Sequence, residues 1–143
     1  MSLFSSIAVS ASGMAAQRQR AELLVENMAN AETTRTPEGG PYRRKDVVFA
    51  SAPAVSPFAS AFETALGPEG VEVAGVVADA SPPERRYLPG HPDADKDGYV
   101  AFPRIQPAED MVDLMGAARG YQANVAAITA VKDMIQHSLE LLR

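Results

Sequence analysis

The stretch whose spacing best suits ion chemistry is Asp93-Ala94-Asp95-Lys96-Asp97-Gly98. Carboxylates at positions 1, 3 and 5 with glycine at 6 form the first half of a calcium loop. Such a loop closes with a bidentate glutamate at position 12, and that position is Arg104. Pro89 and Pro92 precede the run and Pro103 follows it, where an EF-hand has helices. The plainer reading is an acidic turn leading into a strand at Tyr99, with no metal; a calcium-binding module on Asp93, Asp95 and Asp97 is the alternative. His91 sits in a loop before Pro92. His137 falls near the chain's end, where a cation suits the negative end of a helix. Neither has a second histidine beside it, so both read as structural or solvated. Tyr42 is followed by the basic triplet Arg43-Arg44-Lys45, which reads as a strand start or a set of salt-bridge partners. The sequence has no P-loop, GxGxxG, GxSxG or HExxH pattern. No enzyme, no cofactor and no small-molecule substrate are expected.

The bulk composition narrows the field further. The 143 residues carry a formal charge of -5, with no Cys, no Trp and only five Phe and four Tyr. An acidic chain lacks the basic surface that nucleic acid requires. Without cysteine there is no disulfide, thiolate metal site or thiol catalysis. No run approaches the length of an apolar transmembrane span. The first basic residue is Arg18, and Ser5, Ser6, Ser10 and Ser12 interrupt the opening stretch. A secretory signal has a basic start and a solid apolar run. No cleaved signal is expected, so work outside the cytoplasm would need another export route.

Proline divides the chain. All 11 prolines lie between Pro37 and Pro107. Proline removes a donor and clashes with the preceding helical turn, so long helices are confined to the two flanks. The expected C-terminal helix runs from about Pro107 to Leu142, with Pro107 at its first position and Glu109 and Asp110 facing the positive end of its dipole. Met111, Leu114, Ala118, Tyr121, Val125, Ile128, Lys132, Ile135, Leu139 and Leu142 follow an alternating 3–4 spacing, the mark of a coiled-coil seam. The N-terminal flank repeats the spacing at Leu3, Ile7, Ser10, Met14, Gln17, Ala21, Leu24, Met28 and Ala31, with two polar interruptions. Asn30 and the approach to Pro37 supply its stop.

The expected fold class is therefore mainly α with a small β insert. Residues 1–34 and 107–143 form an antiparallel coiled coil of the terminal helices, because the insert leaves one helix and returns into the other at the same end. Residues 35–106 form a short β-rich middle region, with strands at Lys45–Ala50, Val71–Ala78 and Tyr99–Phe102. Glu38-Gly39-Gly40-Pro41 reads as a turn. Residues 52–67 read as a loop with room for a helical turn near Phe62.

The outer helix faces carry the functional reading. A two-helix coiled coil in water needs charges opposite its seam. Between Met111 and Val131 the only charges are Asp113 and Arg119, and residues 1–17 have none. Small residues stand there instead: Gly13, Gly116, Gly120, Ala126, Ala127. The Pro-rich middle is too polar to cover them, so other copies or related chains are expected to do so, as in a filament. A soluble coiled-coil adaptor would have shown charged outer faces.

Two motifs then become recognisable. Ser12-Gly13-Met14-Ala15-Ala16-Gln17 followed by Glu26-Asn27-Met28-Ala29-Asn30-Ala31-Glu32-Thr33 resembles the N-terminal signature of bacterial flagellar basal-body rod and hook proteins. Pro41-Tyr42-Arg43-Arg44-Lys45, Gly98-Tyr99-Val100 and Ala118-Arg119-Gly120-Tyr121-Gln122-Ala123-Asn124 continue the likeness, and the short length suits a proximal-rod subunit. The resemblance implies a structural axial protein, exported by the flagellar type III apparatus into the periplasmic rod. Its implied partners are its own copies, other rod subunits, and the adaptor and membrane-ring proteins at the rod base. Gly13, Asn27, Asn30, Gly116, Gly120, Gln122, Asn124 and Ala127 are then the expected inter-subunit packing residues. The assembly seam is expected at Leu3, Ile7, Met14, Leu24, Met28, Met111, Leu114, Tyr121, Val125, Ile128, Ile135, Leu139 and Leu142.

Overall fold

The computed structural model describes residues 3–53 and 69–141. Two helices bracket the chain: α1 at Leu3–Ala29 and α2 at Pro107–Glu140. Between them lie β1 (Lys45–Pro53), β2 (Glu69–Ala78), β3 (Glu84–Tyr87) and β4 (Tyr99–Phe102). The strands form two separate antiparallel ribbons, β1 with β2 and β3 with β4. The suggested helical turn near Phe62 lies outside the described residues.

The helices run antiparallel. Gly13 of α1 faces Asn124 of α2, Gln17 faces Gly120, and Arg20 lies 3.3 Å from Asp113, so advancing along one helix means retreating along the other. At 34 residues α2 extends roughly 50 Å at 1.5 Å per residue. Its start follows the expected chemistry, with Pro107 in the first turn and an extended Gln106 before it. The end of α1 is fixed by Asn30. Its Nδ2 donates back to the Glu26 carbonyl at 2.9 Å, and its Oδ1 accepts from the Thr33 hydroxyl at 3.1 Å. Such side-chain bonding satisfies groups that a helix end otherwise leaves open.

The β1–β2 ribbon lies along α1. Its base is held at Asn27, where Lys45 begins β1; farther out, the Val71 amide donates to the Ser12 hydroxyl at 3.0 Å. A slip in register between Val48 and Phe49 bulges the ribbon. The smaller ribbon is stitched by side chains over its faces: Tyr87 packs edge-on to Tyr99, and Arg86 lies over Phe102. Gly98, at φ +79°, makes the turn into β4, and a Cβ there would come within 2.9 Å of the Tyr87 ring.

The core is small, and most of its large residues lie at one end, with Ala16, Ala117 and Val131 buried along the helix pair. Leu24, Tyr42, Val100, Phe102 and Ile105 are buried where the end of α1, the start of β1 and the entry to α2 converge. Large side chains elsewhere on α2 are mostly exposed.

Candidate functional site

The buried junction is organised by polar side chains. Asn27 is fully buried and makes three hydrogen bonds. Its Nδ2 donates to the Lys45 carbonyl at 2.8 Å, while its Oδ1 accepts from the Lys45 amide at 2.9 Å and the Tyr42 hydroxyl at 3.0 Å. Lys45 pairs with Ala78 of β2, and this one helix side chain satisfies its backbone amide and carbonyl in place of a further strand. Lys45 returns the contact, its Nζ lying 2.6 Å from Glu26. Burial, followed by the Glu26 carboxylate, pushes the Tyr42 hydroxyl up to about 12.

Asp110 is the second anchor. It too is fully buried, and Arg44 Nη2 lies 3.0 Å from its Oδ1. Among the described residues no hydrogen bond of good geometry reaches either oxygen, so the ion pair holds the charge. Burial raises its pKa above the ordinary 3.8; the Asp113, Asp46 and Glu109 carboxylates add to the rise, and Arg44 opposes it. Arg44 also reaches Asp46 at 3.3 Å, and Arg20 reaches Asp113 at 3.3 Å. Together these pairs tie α1, β1 and α2 into one ionic cluster.

Above the junction the helix contact departs from the expected seam by one residue. Leu114, Ile128 and Ile135 are half-buried, in agreement with the 3–4 spacing. Elsewhere the spacing marked Met111, Ala118, Tyr121, Val125 and Lys132, but the more buried residues are Asp110, Ala117, Gly120, Asn124 and Val131, each one position earlier. Met111 is 58% exposed, Tyr121 38%, Val125 40% and Leu139 63%. On α1 the stripe sits closer to expectation: Leu24 is buried, Ile7, Met14 and Met28 are half-buried, and Leu3 is exposed. Leu142 lies outside the described residues.

Small side chains explain the shift. A Cβ on Gly13 would come within 2.9 Å of the Asn124 amide, and one on Gly120 within 3.2 Å of Gln17. The helices approach through these glycines with Ala16 and Ala117, both buried, and the bulky residues are turned outward. Five of the residues expected between subunits therefore have their contacts within the chain. Asn27 is wholly enclosed, Asn30 caps α1, and Gly13, Gly120 and Asn124 form the helix contact. Gly116, Gln122 and Ala127 are exposed.

The whole chain has close relatives. The family profile described as "Flagellar basal body rod FlgEFG protein C-terminal" matches residues 96–141. A "Flagellar basal-body rod protein FlgC" of Borreliella burgdorferi is 42% identical, across 100% of this chain and 99% of the relative. Proteins of the same name from Salmonella typhimurium and Bacillus subtilis are each 38% identical, across 99% of this chain and 98% and 99% of their own lengths. The chain belongs to the FlgC family of flagellar basal-body rod proteins.

As a FlgC-family member it is a structural subunit of the flagellar basal-body rod, in line with the resemblance carried by its terminal motifs. The likeness also spans residues 50–90, where no motif stood out. The calcium alternative finds no support. The Asp93 carboxylate takes the Thr34 hydroxyl at 2.8 Å and pairs with Arg35. Asp95 pairs with Arg85 and accepts from the Asp97 and Tyr99 amides at 2.9 and 2.8 Å, bonds that hold its carboxyl below the usual range. Among the described residues, no three acidic or histidine side chains are grouped to hold a metal. The acidic run instead ties the β3–β4 ribbon to the segment leaving α1. Asp110 and Asn27 had no such signal in the sequence: a dipole partner and a motif residue became the two buried anchors.

Proposed function

We propose that the subunit assembles by burying the outward apolar faces of α1 and α2 on neighbouring chains, while the junction keeps its own fold. One observation carries this reading. Met111, Met115, Tyr121, Val125, Met134 and Leu139 stand exposed along a helix with few charges, and the opening stretch of α1 has none. Such an apolar surface on a soluble chain marks a contact site. Residues 1–34 and 107–143 act as the assembly unit and residues 35–106 as a smaller insert. Met111, Tyr121, Val125 and Leu139 serve as seam residues toward neighbouring helices, packed in coiled-coil fashion, rather than within the chain. Gly116, Gln122 and Ala127 line the same outer surface.

The neighbours are copies of this chain, other rod subunits, and the adaptor and ring proteins at the rod base. The subunit reaches the periplasm through the flagellar export apparatus and performs no catalysis. Ala127 is exposed, so Ala127→Glu leaves the isolated fold intact. Expressed in place of the native subunit, this variant is expected to be secreted normally and to leave cells without rods and non-motile. Full motility would overturn the proposal.

A further inference from the structure

The basic triplet divides in the fold. Arg44 turns to Asp110 and Asp46, and Lys45 to Glu26. Arg43 does neither: its Nη1 donates to the backbone carbonyl of Asp79, at 3.5 Å. Among the described residues, no carboxylate lies within ion-pair distance of Arg43 or of Arg104. Both residues, together with Arg44, line one surface cavity of about 120 Å³.

Asp79 is the carboxylate lining that cavity, and it is already engaged. Its Oδ1 accepts from the Ser81 amide at 2.8 Å. Hydrogen bonds from Ser81 chiefly hold its carboxyl below the ordinary range, and Arg104 and Arg44 add to the effect. Two arginines with no ion pair among the described residues thus share this cavity with one satisfied carboxylate, on a chain whose net charge is -5. Tyr42, Pro41, Pro83 and Pro103 supply apolar walls. Gly39 and Gly40, at φ +90° and +78°, turn the rim with no side chain in the way.

We propose that this cavity receives an acidic side chain presented by a neighbouring rod subunit, a proposal that rests on the assembly reading above. Guanidinium forks match carboxylate geometry. The proline and tyrosine walls fit the methylene stem of a glutamate better than a hydrated inorganic anion. An exposed ion pair alone contributes little; here it sets which partner docks and in what register.

The test uses the full-length chain in cells whose rod depends on it. In Arg43→Glu/Arg104→Glu, melting temperature and secretion are expected to match wild type. Rod-bearing basal bodies should fall at least about tenfold, a change within reach of a charge-assisted pair. Suppressors should replace Asp or Glu by Lys or Arg in a neighbouring subunit, and Arg43→Lys/Arg104→Lys should retain assembly. If the double reversal melts early, the uncharged change Arg104→Gln takes its place. Normal rod numbers would overturn the proposal, as would suppressors that act only by restoring melting temperature. Stabilisation of the purified wild-type chain by millimolar phosphate, lost in the variant, would assign the cavity to a free anion and also overturn it. Ala127→Glu reads the helix face alone, so a motile double reversal removes this receptor without touching the assembly reading.

Discussion

The two ends of the helical pair are built on opposite principles. At the junction, Asn27, Tyr42, Arg44, Lys45 and Asp110 are each committed to partners within the chain, and most of the large buried apolar residues gather around them. Along the rest of the pair the chain contributes small residues to its own contact and turns Met111, Tyr121, Val125 and Leu139 outward. One end specifies a conformation. The other leaves several large apolar side chains exposed, while Val131 is buried and Leu114, Ile128 and Ile135 are half-buried. A subunit that must exist alone and then build a filament needs both, because open heterologous contacts require a surface the monomer leaves uncovered.

The sharpest way to break the contrast is at Asn27. Asn27→Ala orphans the part-buried Lys45 amide and carbonyl and the buried Tyr42 hydroxyl. Each orphaned group costs on the order of 1–3 kcal/mol. The loss should be several kcal/mol, a large share of a typical total of about 5–15, and chemical denaturation would read it. A loss under about 1 kcal/mol would show that the junction does not depend on this hub.

Gly13→Leu tests the upper contact. Its side chain would enter the space held by Asn124. Overpacking of this kind costs about 1–3 kcal/mol, and adding Asn124→Ala should recover part of it. Equal losses in the single and double variants would mean the two residues do not meet.

Asp110→Asn separates charge from shape. The folded pKa of Asp110 lies above the ordinary 3.8, so the folded chain holds this proton more tightly than the unfolded one. Its contribution to stability is therefore greatest at and below the ordinary value and declines as pH rises toward the raised one. Melting temperature against pH should lose that decline in the variant. An unchanged profile would mean the charge is solvated.

The smallest expected effect is at Gln17, whose Oε1 is buried without a hydrogen-bond partner among the described residues. Gln17→Met keeps the length and removes the orphan acceptor, so stability should rise by about 1 kcal/mol. A loss would mean that oxygen is satisfied in solution.

Most of the architecture was legible because proline and turn residues confine helices to the flanks, because Val-rich runs mark β1 and β2, and because the aromatic-flanked run Tyr99–Phe102 marks β4. The strand β3 was missed: Glu84-Arg85-Arg86-Tyr87 has no apolar alternation and is a strand by virtue of pairing with β4. The seam was displaced by one residue for a physical reason. Spacing rules follow the largest apolar side chains, whereas this contact is made by Gly13, Ala16, Ala117 and Gly120, residues too small to register. The roles of Asn27 and Asp110 depend on segments far away in sequence, Lys45 and Arg44, and no local pattern announces such a meeting.

The central claim is that the outward face of α2 is free in the subunit and covered in the rod. Because the chain has no cysteine, a single thiol can report on one position. Val125→Cys should react rapidly with a maleimide in the free, folded subunit and be protected in isolated basal bodies. Gln106→Cys, at the exposed entry to α2, serves as a reference for reagent access in each preparation. Equal labelling of Val125→Cys in free and assembled forms, relative to that reference, would contradict burial by neighbours.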